Sequence, residues 1–197
     1  MNGQVLRDHV SLAAYGSVRG GASPGHQFSV ITPANLDGVS VVMSNTGQGR
    51  QGGEADSEAV LHRGDILVSA RGSVGKVAMA GEECVGCAVS ANILVLRLKD
   101  SLLPAVLWAF FNSAPGRKAL EASTLDSSGQ KAISFESLLS IKLQIPPMSA
   151  QQAIAEVVEN GLKSHRAALG AVDLRLKLLR SAFTQVFSDN GGGDGNA

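Results

Sequence analysis

The sequence predicts an α+β fold: a strand-rich globular part followed by one long coiled-coil helix. Three observations predict it. Short β-branched and apolar runs recur between Gly-, Ser- and Asn-rich stretches up to residue 148. One helical block interrupts them at 101–120. From residue 149 the text changes in kind: proline disappears, and apolar residues return every three or four positions to 188. The organisation is therefore 1–148, a strand-rich domain; 149–188, a long helix for dimerisation or spacing; and 189–197, a flexible tail.

In chain order, "FSVITPANL" (28–36) starts as a β-branched strand and stops at Pro33. "GVSVVM" (38–43) is a second strand candidate. Residues 44–58, "SNTGQGRQGGEADSE", are polar and Gly-rich without an apolar period, which predicts a long surface loop. "DILVSA" and "KVAMA" flank a short turn and predict a hairpin. "ANILVLRL" (91–98) is the clearest strand. Pro104 suits the first turn of a helix over about 101–113, because its missing N–H would be unpaired there anyway. A second helical stretch follows Pro115. "STLDSSGQKAI" (123–133) reads as a polar loop, and "SFESLL" as a helical turn capped by Ser134. "SIKLQIPP" ends the domain as a strand stopped by two prolines.

The helix opens on Ser149-Ala150-Gln151-Gln152, which fits the S-x-x-Q capping box. Its apolar seam runs Ala155, Val158, Leu162, His165, Leu169, Val172, Leu176, Leu179, Phe183, Val186, in alternating steps of three and four. Gly161 and Gly170 each cost about 1 kcal/mol relative to Ala in a helix interior. Such a helix needs a partner surface. Leu174 and Leu178 lie off the seam and widen the apolar face towards a further protein. The tail "SDNGGGDGNA" is polar and Gly-rich, and is expected to be flexible.

With 44% hydrophobic and 17% charged residues the composition is that of a globular protein. The longest apolar run, 105–111, is too short to span a bilayer, and Arg7, Asp8 and His9 interrupt any leader-like start. A cytoplasmic protein is expected. Formal net charge is zero, which argues against a free-standing, non-specific nucleic-acid binder. It leaves room for a protein that reads DNA inside a complex whose other subunits supply positive charge.

Three motifs invite a catalytic reading, and each lacks its context. "ARGSVGKV" (70–77) matches the first part of a phosphate-binding loop. Val77 stands where a metal-binding hydroxyl is needed, and the β-like "VAMAG" stands where a helix should receive the phosphate. A hairpin turn with Gly72 and Gly75 at positive φ accounts for the same residues. "CVGC" offers Cys84 and Cys87, but His9, His26, His62 and His165 are scattered, so a zinc site lacks its other two ligands. Two reduced thiols near a strand are expected. "QIPPM" (144–148) has the two prolines of an adenine methyltransferase motif without its flanking residues, and reads as punctuation. No metal and no cofactor are expected.

Three stretches together resemble one known family. "RGDILVSARGSVGKVAMA" is similar to the G-D-I-L…G-x-x-G-K hairpin of the specificity subunits of type I restriction-modification enzymes. "GQKAISFESLLSIKLQIPPMSAQQAIAEVV" resembles their domain-end signature. "SANILVLRL" with "VLWAFFNSAPGRKAL" resembles the strand and helix between. The likeness covers about 5–188. It implies a target-recognition domain followed by a conserved-region helix, in a non-catalytic subunit that reads double-stranded DNA and recruits methyltransferase (modification) subunits, with restriction subunits as a further candidate partner. Full-length members carry two such domains and two antiparallel helices. This chain has one of each, so the resemblance implies a half-length form.

A self-complementary seam would make a two-fold homodimer through Val158, Leu162, His165, Leu169, Val172, Leu176, Leu179 and Phe183. A helix of about 38 residues is roughly 57 Å long, or on the order of 17 base pairs if the pairing is antiparallel. Parallel pairing would place the two domains side by side. Base and phosphate contacts are expected from loops rich in Arg, Gln, Ser and Lys. The candidates are Arg19, Gln48, Arg50, Arg71, Ser73, Lys76, Ser128, Gln130 and Lys131. The rival readings are a protein-interaction adaptor without DNA binding of its own, which zero net charge would suit, and a nucleotide-binding enzyme that depends on Lys76.

Overall fold

A computed structural model describes residues 3–16, 29–43, 60–127 and 129–189. The chain divides into two compact units, Met1–Asn160 and Gly161–Ala197.

The first unit is built on a four-stranded antiparallel sheet in the order β2-β7-β4-β5. Its strands are β2 (Val10–Tyr15), β4 (Ile66–Ser69), β5 (Val77–Met79) and β7 (Ile93–Leu98). Three short pairs surround it. Antiparallel β1 (Gln4–Val5) and β10 (Lys142–Leu143) close the ends of the domain, and β3 (Val30–Ile31) runs parallel to β6 (Ala88–Val89). The antiparallel ribbon of β8 (Thr124–Ser127) and β9 (Gln130–Ile133) completes the set.

The central strands are apolar at successive positions because both faces of the sheet are covered. Ile66, Val68, Val77, Leu94 and Leu96 point to one cluster, which contains Val106, Leu107 and Phe111 of α1 (Pro104–Asn112). Leu120 of α2 (Ala114–Ala122) and Leu138 of α3 (Phe135–Leu139) belong to the same cluster. Leu67, Ala78, Ile93 and Val95 point to the other, with Ile31, Leu36, Val41, Leu61, Cys84, Cys87 and Val89. Alternation along each strand survives, but it alternates between two cores rather than between core and water.

The hairpin of β4 and β5 forms where the sequence places it, with Ile66 opposite Met79 and Val68 opposite Val77. The strand at 91–98 is β7, and Ser134 caps α3 by accepting from the Ser137 N–H at 3.2 Å. Pro33 stops β3, as its sequence predicts, and begins a 3-10 turn at Pro33–Asn35.

Two segments differ from expectation. "GVSVVM" is not a strand. The Asp37 carboxylate accepts from the N–H groups of Val39 (2.7 Å) and Ser40 (2.6 Å), Gly38 takes φ +98°, and the segment folds back so that only Val41 bridges Leu36. A side chain that satisfies two consecutive amides competes directly with a ladder. "STLDSSGQKAI" is not a loop: it is the ribbon of β8 and β9, turned at Gly129 with φ +77°. Its polar composition conceals the two strands on either side of Gly129. The long loop predicted at 44–58 and the tail from 190 lie outside the described residues.

α4 spans Met148–Asp189, 42 residues. Its first amides, from Ala150 and Gln151, donate to Pro147 O at 2.9 and 3.0 Å. The buried amide side chain at the start is that of Gln151, while Gln152, the residue the capping-box pattern points to, is exposed. No described helix is long and apolar enough to cross a membrane.

Candidate nucleic-acid interface

The turn between β4 and β5 is rigid for reasons visible in its sequence. Gly72 (φ +77°) and Gly75 (φ +84°) adopt the left-handed region that L side chains disfavour. Ser69, fully buried, ties the turn from below. Its hydroxyl donates to Ser73 O and accepts from the Lys76 N–H at 2.9 Å, and its carbonyl accepts from the Gly75 N–H at 2.9 Å. Arg117 donates to Gly75 O at 2.8 Å, which fastens α2 to the turn. The strand β5, not a helix, follows the Gly-Lys pair.

Lys76 is drawn inward. Its ammonium donates to Leu36 O at 2.8 Å and the side chain is half-buried. It therefore stitches the hairpin to the 33–41 segment instead of standing free at the surface. Arg71 and Ser73 remain exposed at the turn. The Arg71 guanidinium lies 5.4 Å from the centre of the Tyr15 ring, a cation–π arrangement that orients it.

The ribbon of β8 and β9 is pinned beside this turn. Arg71 bridges Ala132, the Ile133 N–H donates to Ala70 O at 3.0 Å, and Tyr15 Oη donates to Ile133 O at 3.2 Å. Tyr15 is itself held edge-on against Phe135, with ring centroids 4.5 Å apart. The result brings exposed Arg71 and Ser73 of the turn beside exposed Gln130 and Lys131 of the ribbon, although 57 to 60 residues separate them in sequence. Below them Val74, Glu121, Thr124, Asp126 and Lys131 line an open cavity of about 330 Å³. A two-stranded ribbon is one of the shapes that the major groove of DNA admits. Arg19, Gln48, Arg50 and Ser128 lie outside the described residues.

Sequence reasoning missed the pair that supports this hairpin from its other end. Asp65, 1% exposed, accepts from Arg97 Nε (2.9 Å) and Nη2 (2.8 Å) and from the His62 N–H (2.8 Å). Arg97 Nη2 also donates to Val60 O at 3.2 Å. The hydrogen bond it donates to Asp65 holds the Arg97 pKa above its ordinary value, against the opposing effect of burial. A lone Asp after Gly at the start of an apolar strand is the only signal in the sequence, and it does not name its partner.

Cys84 and Cys87 are buried as thiols, not joined in a disulfide, inside the second cluster. Burial, with the Glu83 charge adding to it, pushes the Cys87 thiol pKa up. Among the described residues no group of His, Cys, Asp and Glu is placed to hold a metal.

Along α4 the expected seam is exposed only in part. Leu162 is 2% exposed within the single chain, and Val158, His165 and Leu169 are half-buried. Leu162 therefore offers little surface to a second molecule. Val172, Leu176, Leu179 and Phe183 are about half exposed or more, as are Leu174 and Leu178 off the seam.

Residues 29–165 match the family model described as type I restriction modification DNA specificity domain. Comparison with curated proteins gives no match. Among solved structures, the chain is similar to the type I restriction-modification system S subunit from M. genitalium. That pair has 15% identity and a TM-score of 0.63, over 94% of this chain and 45% of that one. It is similar to the HsdS subunit from Thermoanaerobacter tengcongensis, with 19% identity and a TM-score of 0.56, over 90% and 42%. A third likeness is to a chain from a structure on complex assembly and conformational transition of the type I R-M system (17% identity, TM-score 0.59, 90% and 43%). The chain spans less than half the length of each of these chains. The α+β architecture is theirs.

Proposed function

The chain belongs to the type I restriction modification DNA specificity family, and from that membership we propose that it is a non-catalytic, cytoplasmic DNA-recognition subunit that reads one half-site. The family match over 29–165 carries the reading. The grouping of Arg71 and Ser73 on the turn with Gln130 and Lys131 on the adjoining ribbon supports it. Arg71 and Lys131 supply charge for phosphates or guanine, and Gln130 a bidentate amide for adenine. Arg19, Gln48, Arg50 and Ser128 complete the candidate set, and Lys76 supports the turn from within.

Two copies would pair through the exposed part of the seam, Val172, Leu176, Leu179 and Phe183. A second, uncharged stripe of Ala167, Ala171, Leu174, Leu178, Ser181 and Gln185 follows steps of four and three on the opposite face. Charged residues such as Asp173 and Lys177, paired at 2.7 Å, lie between the stripes. A helix with two apolar faces suits a copy of itself on one side and a methyltransferase subunit on the other. At 1.5 Å per residue 42 residues make about 63 Å, the length of roughly 18 base pairs.

Selection from a randomised duplex library with the full chain, alone and with its methyltransferase partner, tests the reading. Enrichment of a bipartite sequence is expected. Absence of any enriched sequence in both conditions contradicts it.

A further inference from the structure

We propose that Gln151 is a positioning residue: it ties the first turn of α4 to the loop that opens α1, and through that joint sets the spacer between half-sites. The inference rests on the proposed reading of two half-sites. Gln151 is 2% exposed, and its amide makes three hydrogen bonds. Oε1 accepts from the Leu103 N–H at 2.9 Å, while Nε2 donates to Ser101 O at 3.2 Å and to Pro146 O at 3.1 Å. One side chain thus joins the first turn of α4, the Pro-Pro junction before it and the loop that opens α1. Leu103 is the N-cap residue of α1, and its N–H is bound by Gln151.

Two contacts on the same side of the helix extend the joint. Ile154 packs on the first core cluster. Glu159 lies 3.7 Å from Arg63, which also meets Glu82 at 3.4 Å. Both salt bridges are exposed and contribute little on their own. Gln151 is the buried member, and breaking its bonds leaves the polar groups it meets without their partner.

Leverage makes this joint matter for DNA. A tilt of about 10° at the base of a helix about 63 Å long displaces its far end by roughly 11 Å, or about three base-pair steps. A loosened joint would therefore blur spacer length while leaving each half-site readable.

The test compares wild type, Gln151→Met and Gln151→Glu in two assays. Met keeps the side-chain volume and removes all three hydrogen bonds. Glu keeps the acceptor for Leu103 but sets an oxygen against the Ser101 and Pro146 carbonyls, so it disrupts the other side of the joint. The first assay is amide exchange at Leu103, which reports the joint with no DNA present: faster exchange in Met than in Glu is expected. The second is selection of duplexes bearing two inverted half-sites with spacers of graded length. Wild type is expected to favour one spacer by about tenfold over its neighbours, and Met to reduce that preference to about threefold or less, with half-site sequence unchanged, the scale of a loss of about 0.7–1.4 kcal/mol. If Met does not fold, Glu decides by the same readouts. An unchanged spacer preference in a folded variant whose Leu103 exchange has increased overturns the inference. If wild type shows no bipartite preference at all, the functional reading fails instead.

Discussion

Replacing Leu179 by Ala should weaken self-association of the chain about 30-fold. Leu179 is 54% exposed in the single chain, so roughly half of its surface remains to be covered. Full burial of a leucine contributes about 1.5–3 kcal/mol, so covering the remaining half contributes about 1 kcal/mol. A two-fold interface carries the side chain twice, for about 2 kcal/mol, or roughly 30-fold in Kd at about 1.4 kcal/mol per decade. Ala is the better helix former, so the substitution does not weaken α4 itself. Sedimentation equilibrium over a wide concentration range measures the constant. Leu178→Ala, one position away on the opposite stripe, is the control: it should leave self-association within about twofold, well below the effect of a lost core contact. Equal weakening by the two substitutions would refute the assignment of faces, and a wild type that stays monomeric throughout would refute the seam.

Three further outcomes follow from the described contacts. Arg97→Leu leaves Asp65 buried without its charge partner and should cost about 3 kcal/mol in denaturant unfolding; a loss below about 1 kcal/mol would show the pair to be dispensable. Arg71→Ala should lower DNA affinity and reduce the salt slope by about one while leaving the melting temperature within a degree or two, because its side chain is exposed; an unchanged slope would remove it from the phosphate contacts. Cys87 has a raised pKa when folded, so the unfolded chain releases this proton first as pH rises: stability is intact below about pH 8.5 and falls above it. Cys87→Ala should flatten that alkaline decline, and an identical decline in wild type and variant would assign it to other groups.

The sequence made legible what its local patterns encode. The hairpin of β4 and β5 announces itself by two apolar runs around a Gly-rich turn, and α4 by its period. The ribbon of β8 and β9 stayed hidden because its residues, "TLDS" and "QKAI", are polar, and what holds it is non-local: Ala70, Arg71 and Tyr15. The segment at 38–43 carries strand-forming residues, yet Asp37 redirects its amides. The same limit applies to the candidate site. Residue type singled out Arg71, Ser73, Gln130 and Lys131 as possible contacts, but their assembly on a turn and the adjoining ribbon depends on a bridge between positions 71 and 132. Lys76 has the right chemistry for phosphate and a different neighbour, the Leu36 carbonyl. Asp65 with Arg97, and Gln151 with Leu103, are pairings across tens of residues, which composition and spacing do not reveal.

Mapping methylated bases across the genome of cells with and without this chain tests the central claim most directly. The account predicts that removing the chain abolishes methylation at one bipartite motif made of two inverted copies of the same half-site. A methylation pattern that is unchanged, or a lost motif without inverted symmetry, would contradict it.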